Sequence, residues 1–508
     1  MAQTVLDLRE RSSDAVSWLT PVWEHAALGK REGLVHARKA VGYTQESFAA
    51  EVGVDRSTVV RWEAGDHEPL PYLWPKIARV LSISRDRLIE LLRLPPSVRG
   101  GDMVAVVGSG EPNDQVSSQG GLVLPAVIDG HPADDILRYA GRLDSTLHTV
   151  VELSGEDVKR RDCLPGVAFT AAAFAEPALF ALTAPAVSDV ARDAGSTRVG
   201  MIDVEILTDS VAQLRRMDFR YGSGRIRVRV VQLLHDEATT LLHGCYSDST
   251  GRALLTAVAQ ATRLAGFTAV DVGRPALAQR YYIQALNLAM NAGNRLFAGY
   301  MLCAMSRLTI KNATGQRCAH QAVALARAGK AVAGKATPAL AAVLSAVEAQ
   351  AHALCRDTSA TRTAVLEAER HYERCRPDGE PAWLGFYTEA ELAADLGRAL
   401  RDSGEPAPAA LLMTRALDSY EPWRVRSRCI VQTDLATAYL VAGDHEHAAA
   451  LTRDALDTAG QVSSRGTVLR IQSLQRQMRP LHSVSLIELD EEITGFLRGA
   501  QADESITT

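Results

Sequence analysis

Arg56, Ser57, Thr58 and Arg61 stand within six residues of one another, and their chemistry is that of donors to base edges and phosphates. An arginine fork gives two hydrogen bonds to guanine in the major groove, and serine or threonine hydroxyls serve any base. Gln45 adds an amide suited to phosphate. These groups read a duplex only if a helix carries them into the groove while its other face is held down.

The flanking residues predict that support. Thr44 caps a helix whose apolar face is Phe48, Ala49 and Val52, with Glu46 and Ser47 in its opening turn. Gly53 supplies a φ > 0 turn. Asp55 then caps a second helix with Val59 and Trp62 inward and Arg56, Ser57, Thr58, Val60 and Arg61 outward. Counted from Gln45, Ala49, Gly53, Val59 and Trp62 occupy positions 5, 9, 15 and 18, which is helix-turn-helix spacing. Glu32 to Val41 reads as a preceding helix ended by Gly42. Leu73 to Leu81, with Trp74, Ile77, Ala78 and Leu81 inward, reads as a fourth, and Asp86 to Leu92 as a fifth.

Leu34 to Leu92 thus resembles the XRE-type family of Cro and phage repressors. The resemblance implies a buried ion pair between Arg38 and Glu63, phosphate contact by Gln45, base-edge contact by Arg56 and Ser57, and flanking contacts by Thr58 and Arg61. It also implies double-stranded DNA as partner and a homodimer as the binding species. Charge adds little, because residues 31–94 carry ten Lys or Arg against nine Asp or Glu, so affinity must come from a few oriented contacts.

Over the whole chain, 508 residues with a net charge of −5 argue against a polybasic nucleic-acid coat. Low aromatic content, 5%, and abundant alanine favour helical packing. The seven cysteines are scattered, without C-x₂-C spacing, which points to small buried hydrophobes in a reducing cytoplasm rather than disulfides or zinc. No signal peptide is read at the start. The apolar run Gly166 to Val190 is broken by Glu176, Pro177 and Pro185, so no membrane partner is expected.

Beyond residue 249 the pattern repeats. Leu396-Gly397, Gly404, Ala409, Met413 and Ala416 return as Leu435-Ala436, Gly443, Ala448, Thr452 and Ala455, and again as Gly266, Gly273, Ala278, Tyr282 and Ala285. Weaker copies fall at Ala319 to Ala326 and Ala360 to Ala368. Small residues let paired helices close, and neighbouring pairs cover each other's apolar faces. The pattern resembles the tetratricopeptide repeat. The combined layout, most strongly Tyr221 to Ala289, resembles actinobacterial regulators associated with sporulation and antibiotic production, and more distantly the peptide-sensing regulators of Gram-positive bacteria.

The expected fold is therefore all-α, a five-helix repressor-like helix-turn-helix domain followed by an α-solenoid of tetratricopeptide-like repeats. The expected boundaries are an extension at 1–30, the head at 31–94, a linker at 95–130, a joining helical region at 131–248, repeats at 249–497 and a frayed tail at 498–508. Within 131–248, helices are expected over Ala133 to Leu153, Ala168 to Leu182, Gly200 to Phe219 and Ile226 to Leu242. The repeat register turns Gln260, Arg263, Phe267, Asp271, Glu391, Arg398 and Arg401 toward an inner groove, with Asn287, Asn291 and Asn294 offering amides to a peptide, small-molecule or protein ligand.

Other chemistry is poorly supported. Met103 to Gly110, MVAVVGSG, lacks the third glycine and the following helix of a nucleotide fingerprint. His235-Asp236-Glu237 with His243 does not match a zinc-binding H-E-x-x-H. No nucleophile elbow, P-loop or catalytic carboxylate pair is present, so neither a cofactor nor an enzyme is expected. The expectation is a cytoplasmic, dimeric transcription regulator. The alternative is an interaction scaffold whose helix-turn-helix docks a protein.

Overall fold

The structure, a computed structural model, describes residues 31–92 and 143–507 apart from short stretches within them. Expectations for 1–30, for 95–130 and for the first ten residues of the helix from Ala133 lie outside the described residues. The chain divides between Leu122 and Val123 into two compact units.

In the first unit α1 spans Glu32–Ala40, α2 Gln45–Val52, α3 Arg56–Ala64, α4 Trp74–Val80 and α5 Arg85–Leu92. Thr44 Oγ1 accepts the Ser47 N–H at 3.1 Å, and Ser47 Oγ accepts the Thr44 N–H at 2.9 Å. This is a capping box with serine in the place usually held by Glu or Gln. Gly53 takes φ +79° and ends α2 through its N–H to Ala49 O at 2.8 Å. Phe48, Val52, Val59, Trp62, Ile77 and Leu88 close one core beneath these helices. Asp55 and the side chain of Trp74 lie outside the described residues.

The second unit begins with α6 (Leu143–Lys159), which ends six residues later than expected, and a 3₁₀ turn at Ala171–Phe174 that leads into α7 (Ala175–Thr183). Next come α8 (Met201–Tyr221) and α9 (Ser223–Gln232). The single helix expected over Ile226 to Leu242 is interrupted by a π-helical turn at Leu233–Ala238.

Six helix pairs then follow. These are α10 (Asp248–Asp271) with α11 (Pro275–Asn291), α12 (Arg295–Asn312) with α13 (Gln316–Ala333), and α14 (Pro338–Leu354) with α15 (Thr358–Tyr372). The remainder are α16 (Glu389–Asp402) with α17 (Pro406–Ser419), α18 (Val425–Val441) with α19 (His445–Ala459), and α20 (Arg465–Met478) with α21 (Val484–Thr507). Short connections make partners antiparallel neighbours. The repeat positions do what their sizes require: a side chain at Gly397 would meet Met413, and one at Gly266 would meet the Tyr282 ring.

Helix α21 continues through the expected tail to Thr507. The joining region packs into the repeats, because Leu147, Phe174 and Leu207 share one core with Leu264, Tyr281 and Phe297. Helix α10 is long and apolar enough to cross a membrane by composition, but 78% of its apolar window is buried inside the fold. Cys303 and Cys429 are buried, and burial pushes both thiols up to about 12.

Helices α12 and α13 touch backbone to backbone at Gly299 and Gly329. A Cβ on Gly299 would lie 2.6 Å from the Gly329 carbonyl oxygen, an atom that cannot swing aside. Gly299→Ala is expected to destabilise the repeat unit by about 1–3 kcal/mol, read as a lower urea midpoint by far-UV circular dichroism; an unchanged midpoint would show that the helices separate at no cost.

Candidate functional site

The head rests on two arginines. Arg38 Nε donates to Glu63 Oε1 at 2.6 Å and Nη2 to Oε2 at 3.2 Å, while Nη1 reaches the Tyr43 carbonyl at 2.7 Å. Both partners are buried, at 4% and 6% exposure, so the fork ties α1 to α3 in one geometry. Gln45 Nε2 donates to Glu63 Oε2 at 2.7 Å, which uses one of its two amide N–H donors. Its expected phosphate contact therefore falls to a side chain already oriented by the ion pair.

Arg31 is the residue the sequence reading gave no role. Its Nε donates to Leu92 O at 2.7 Å and its Nη1 to Trp62 O at 3.0 Å, joining the end of α5 to α3. It lies at the domain edge outside any apolar period, so no pattern marks it.

Above this base Arg56, Val60 and Arg61 are exposed and Thr58 is half-buried, whereas Val59 and Trp62 are buried. Ser57 follows Arg56 in the first turn of α3, and its side chain lies outside the described residues. Among the described residues neither Arg56 nor Arg61 makes an ion pair. The start of a helix thus presents guanidinium donors on a surface whose underside is fixed, which is the geometry of a recognition helix.

That arrangement defines a class, and comparison with known families gives the same answer. Residues 35–88 match the family model for a helix-turn-helix. The match covers the head alone and is of the XRE, Cro/C1 type, which supports a DNA-binding role in transcription regulation. No curated protein matches the chain.

In the second unit Arg263, Phe267, Asp271, Glu391, Arg398 and Arg401 meet around one cavity of about 420 Å³. The asparagines are placed differently from expectation. Asn287 and Asn291 line no part of the cavity, because α6 and α7 pack on α11 and cover it. Both are buried, with Asn287 Nδ2 donating to Gln284 Oε1 at 3.2 Å and Asn291 Nδ2 to Asn287 O at 2.8 Å. Asn294 Oδ1 accepts the Phe297 N–H at 3.0 Å, opening α12, and Gln260 is buried in α10.

Two segments outside the repeat register complete the walls. Helix α8 contributes Arg215, Asp218 and Phe219, and the connection between α15 and α16 contributes Phe386 and Tyr387. The only sign of the latter in the sequence is an aromatic cluster, Trp383, Phe386 and Tyr387, in a stretch with proline and glycine.

The carboxylates around the cavity are committed. Asp395 accepts from Arg307 at 3.0 Å, from Tyr387 Oη at 3.0 Å and from Arg398. Asp434 accepts from Arg401 at 2.6 Å and Arg470 at 2.8 Å. Asp218 is held by Arg426 and by Ser223 Oγ at 2.6 Å. Burial alone would raise Asp395 and Asp434, but Arg307 and Arg398 for the one, and Arg470 and Arg401 for the other, hold both well below the usual carboxylate range.

Two tests follow from this geometry. Arg38→Ala leaves Glu63 buried without its fork and is expected to cost the head about 3–5 kcal/mol, measured by chemical denaturation of the full chain; a loss below about 1 kcal/mol would place the pair in solvent. Because Asp395 and Asp434 are depressed in the folded chain, the stability they contribute is present above their unfolded pKa of about 3.9 and lost as pH falls below it. The urea midpoint of the repeat unit is expected to drop from pH 5 to pH 3, and Asp434→Asn to flatten that drop; an identical pH slope in the variant would remove Asp434 from the account.

Proposed function

We propose that the protein is a cytoplasmic, dimeric, sequence-specific transcription regulator and not an enzyme, with tetratricopeptide-like repeats that hold a controlling ligand. The observation that carries this reading is the exposed start of α3, with Arg56 and Arg61 outward on a head fixed by Arg38 and Glu63. The near-balanced charge of the head supports dimerisation, since two heads double the oriented contacts that bulk charge does not supply. Two heads on consecutive major grooves must sit about 34 Å apart, so a ligand that favours one arrangement of the repeats controls binding by altering that spacing. The repeat identity is supported by Gly266 against Tyr282, Gly397 against Met413, and positive-φ glycine turns at 273, 404 and 443. The likeness of residues 221–289 to actinobacterial regulators suggests control of sporulation or antibiotic production as its setting.

Selection of bound fragments from random duplex DNA by the full chain is expected to return a two-fold symmetric site. Arg56→Ala with Ser57→Ala is expected to abolish preference for it, with circular dichroism and oligomeric state unchanged. Retained preference in that variant would overturn the assignment of base reading to the start of α3, and failure of the full chain to select any site would overturn the DNA reading and favour a head that docks a protein.

A further inference from the structure

The cavity of the repeat unit carries more positive charge than its own carboxylates answer. Eight cationic side chains line it against five carboxylates. Arg307, Arg398, Arg401, Arg426 and Arg470 each hold an aspartate. Among the described residues Arg215, Arg263 and Lys311 form no ion pair.

Arg215 and Arg263 are the informative pair, being 9% and 8% exposed. Their guanidinium carbons lie 5.0 and 5.7 Å from the centre of the same Phe386 ring. Arg263 also lies 5.3 Å from the Phe267 ring and 5.2 Å from the Tyr300 ring. Arg215 donates one bond, from Nη1 to Trp383 O at 2.7 Å. The Nε atoms of both are buried with no hydrogen-bond partner. Burial, and then the neighbouring Arg263, bring the Arg215 pKa down to about 10, so Arg215 stays charged at neutral pH. Asp218 lines the same cavity and offsets part of their charge, but among the described residues neither arginine is in ion-pair contact with a carboxylate, so two like charges share an aromatic enclosure at a cost. An anion placed between them would remove that cost.

We propose that this cavity binds a small molecule with an anionic head, carboxylate or phosphate, on an apolar or aromatic body, the head held by Arg215 and Arg263. Seven aromatic side chains line the enclosure in a chain that is 5% aromatic, and they give the body its surface. A volume of about 420 Å³ is that of a small-molecule site. Lys311 also lines the cavity and adds a third cation. The inference supplies the ligand chemistry of the regulator proposed above, and its test requires no DNA.

Isothermal titration calorimetry of the full chain with 1-naphthylacetate, 1-naphthyl phosphate and the neutral 1-naphthylacetamide holds the ring constant while the head changes. At least one anion is expected to bind about tenfold or more tighter than the amide, the value of hydrogen bonds to a charged group. The preferred anion identifies the head as carboxylate or phosphate. Arg263→Met and Arg215→Met are expected to abolish the preference while leaving the thermal midpoint of the ligand-free protein unchanged or higher, since each removes an unanswered buried charge. A lower midpoint would assign the arginines to packing. Equal affinity for amide and anions, no binding of either anion, or a preference surviving in both variants would overturn the proposal. Loss of DNA binding with the anion preference intact would instead count against the regulator reading.

Discussion

A guanidinium removed from water must meet a carboxylate, a carbonyl or an aromatic face, and both units are arranged by that demand. In the head, Arg38 takes Glu63 in a two-point fork and Arg31 takes two main-chain carbonyls. In the repeats, Arg426 joins Asp218 of α8 to Asp271 of α10, so a helix from before the repeats is fixed to the first and fifth pairs. Gly224 N–H to Ser463 O and Ser463 N–H to Tyr221 O, at 2.9 and 2.8 Å, tie the same region to the start of the last pair.

Where the demand is met, geometry is fixed; where it is not, the chain is ready for a partner. The exposed arginines of α3 are solvated and cost little, which leaves them available for the proposed contact with DNA. Arg215 and Arg263 are different because burial denies them water while, among the described residues, no carboxylate forms an ion pair with them. The same residue type thus serves as brace and, on the two proposals above, as reader and receptor, according to what surrounds its five N–H donors.

The head was legible because its signals are local. Thr44, Gly53, Val59 and Trp62 fix caps, turn and inward face within nineteen positions, Thr44 to Trp62. The repeats were legible through small residues at fixed offsets, which encode close helix approach whatever the partner. The cavity was only half visible. The register turned Arg263, Phe267 and Arg398 inward, and they line the cavity, whereas Asn287 and Asn291 do not, because the covering of α11 by α6 and α7 depends on segments more than a hundred residues away. Arg215 and Phe386 likewise reach the site through tertiary packing, from a helix before the repeats and a connection that interrupts them. No period in a single sequence carries that information.

On the proposed function, α3 enters the major groove and reads guanine through an arginine. Methylation interference at guanine N7 on a selected site tests it directly, because the added methyl blocks the acceptor an arginine fork requires. Interference is expected at guanines placed symmetrically in the two half-sites, with loss of that pattern in the Arg56 variant. Binding undisturbed by N7 methylation anywhere in the site would contradict it.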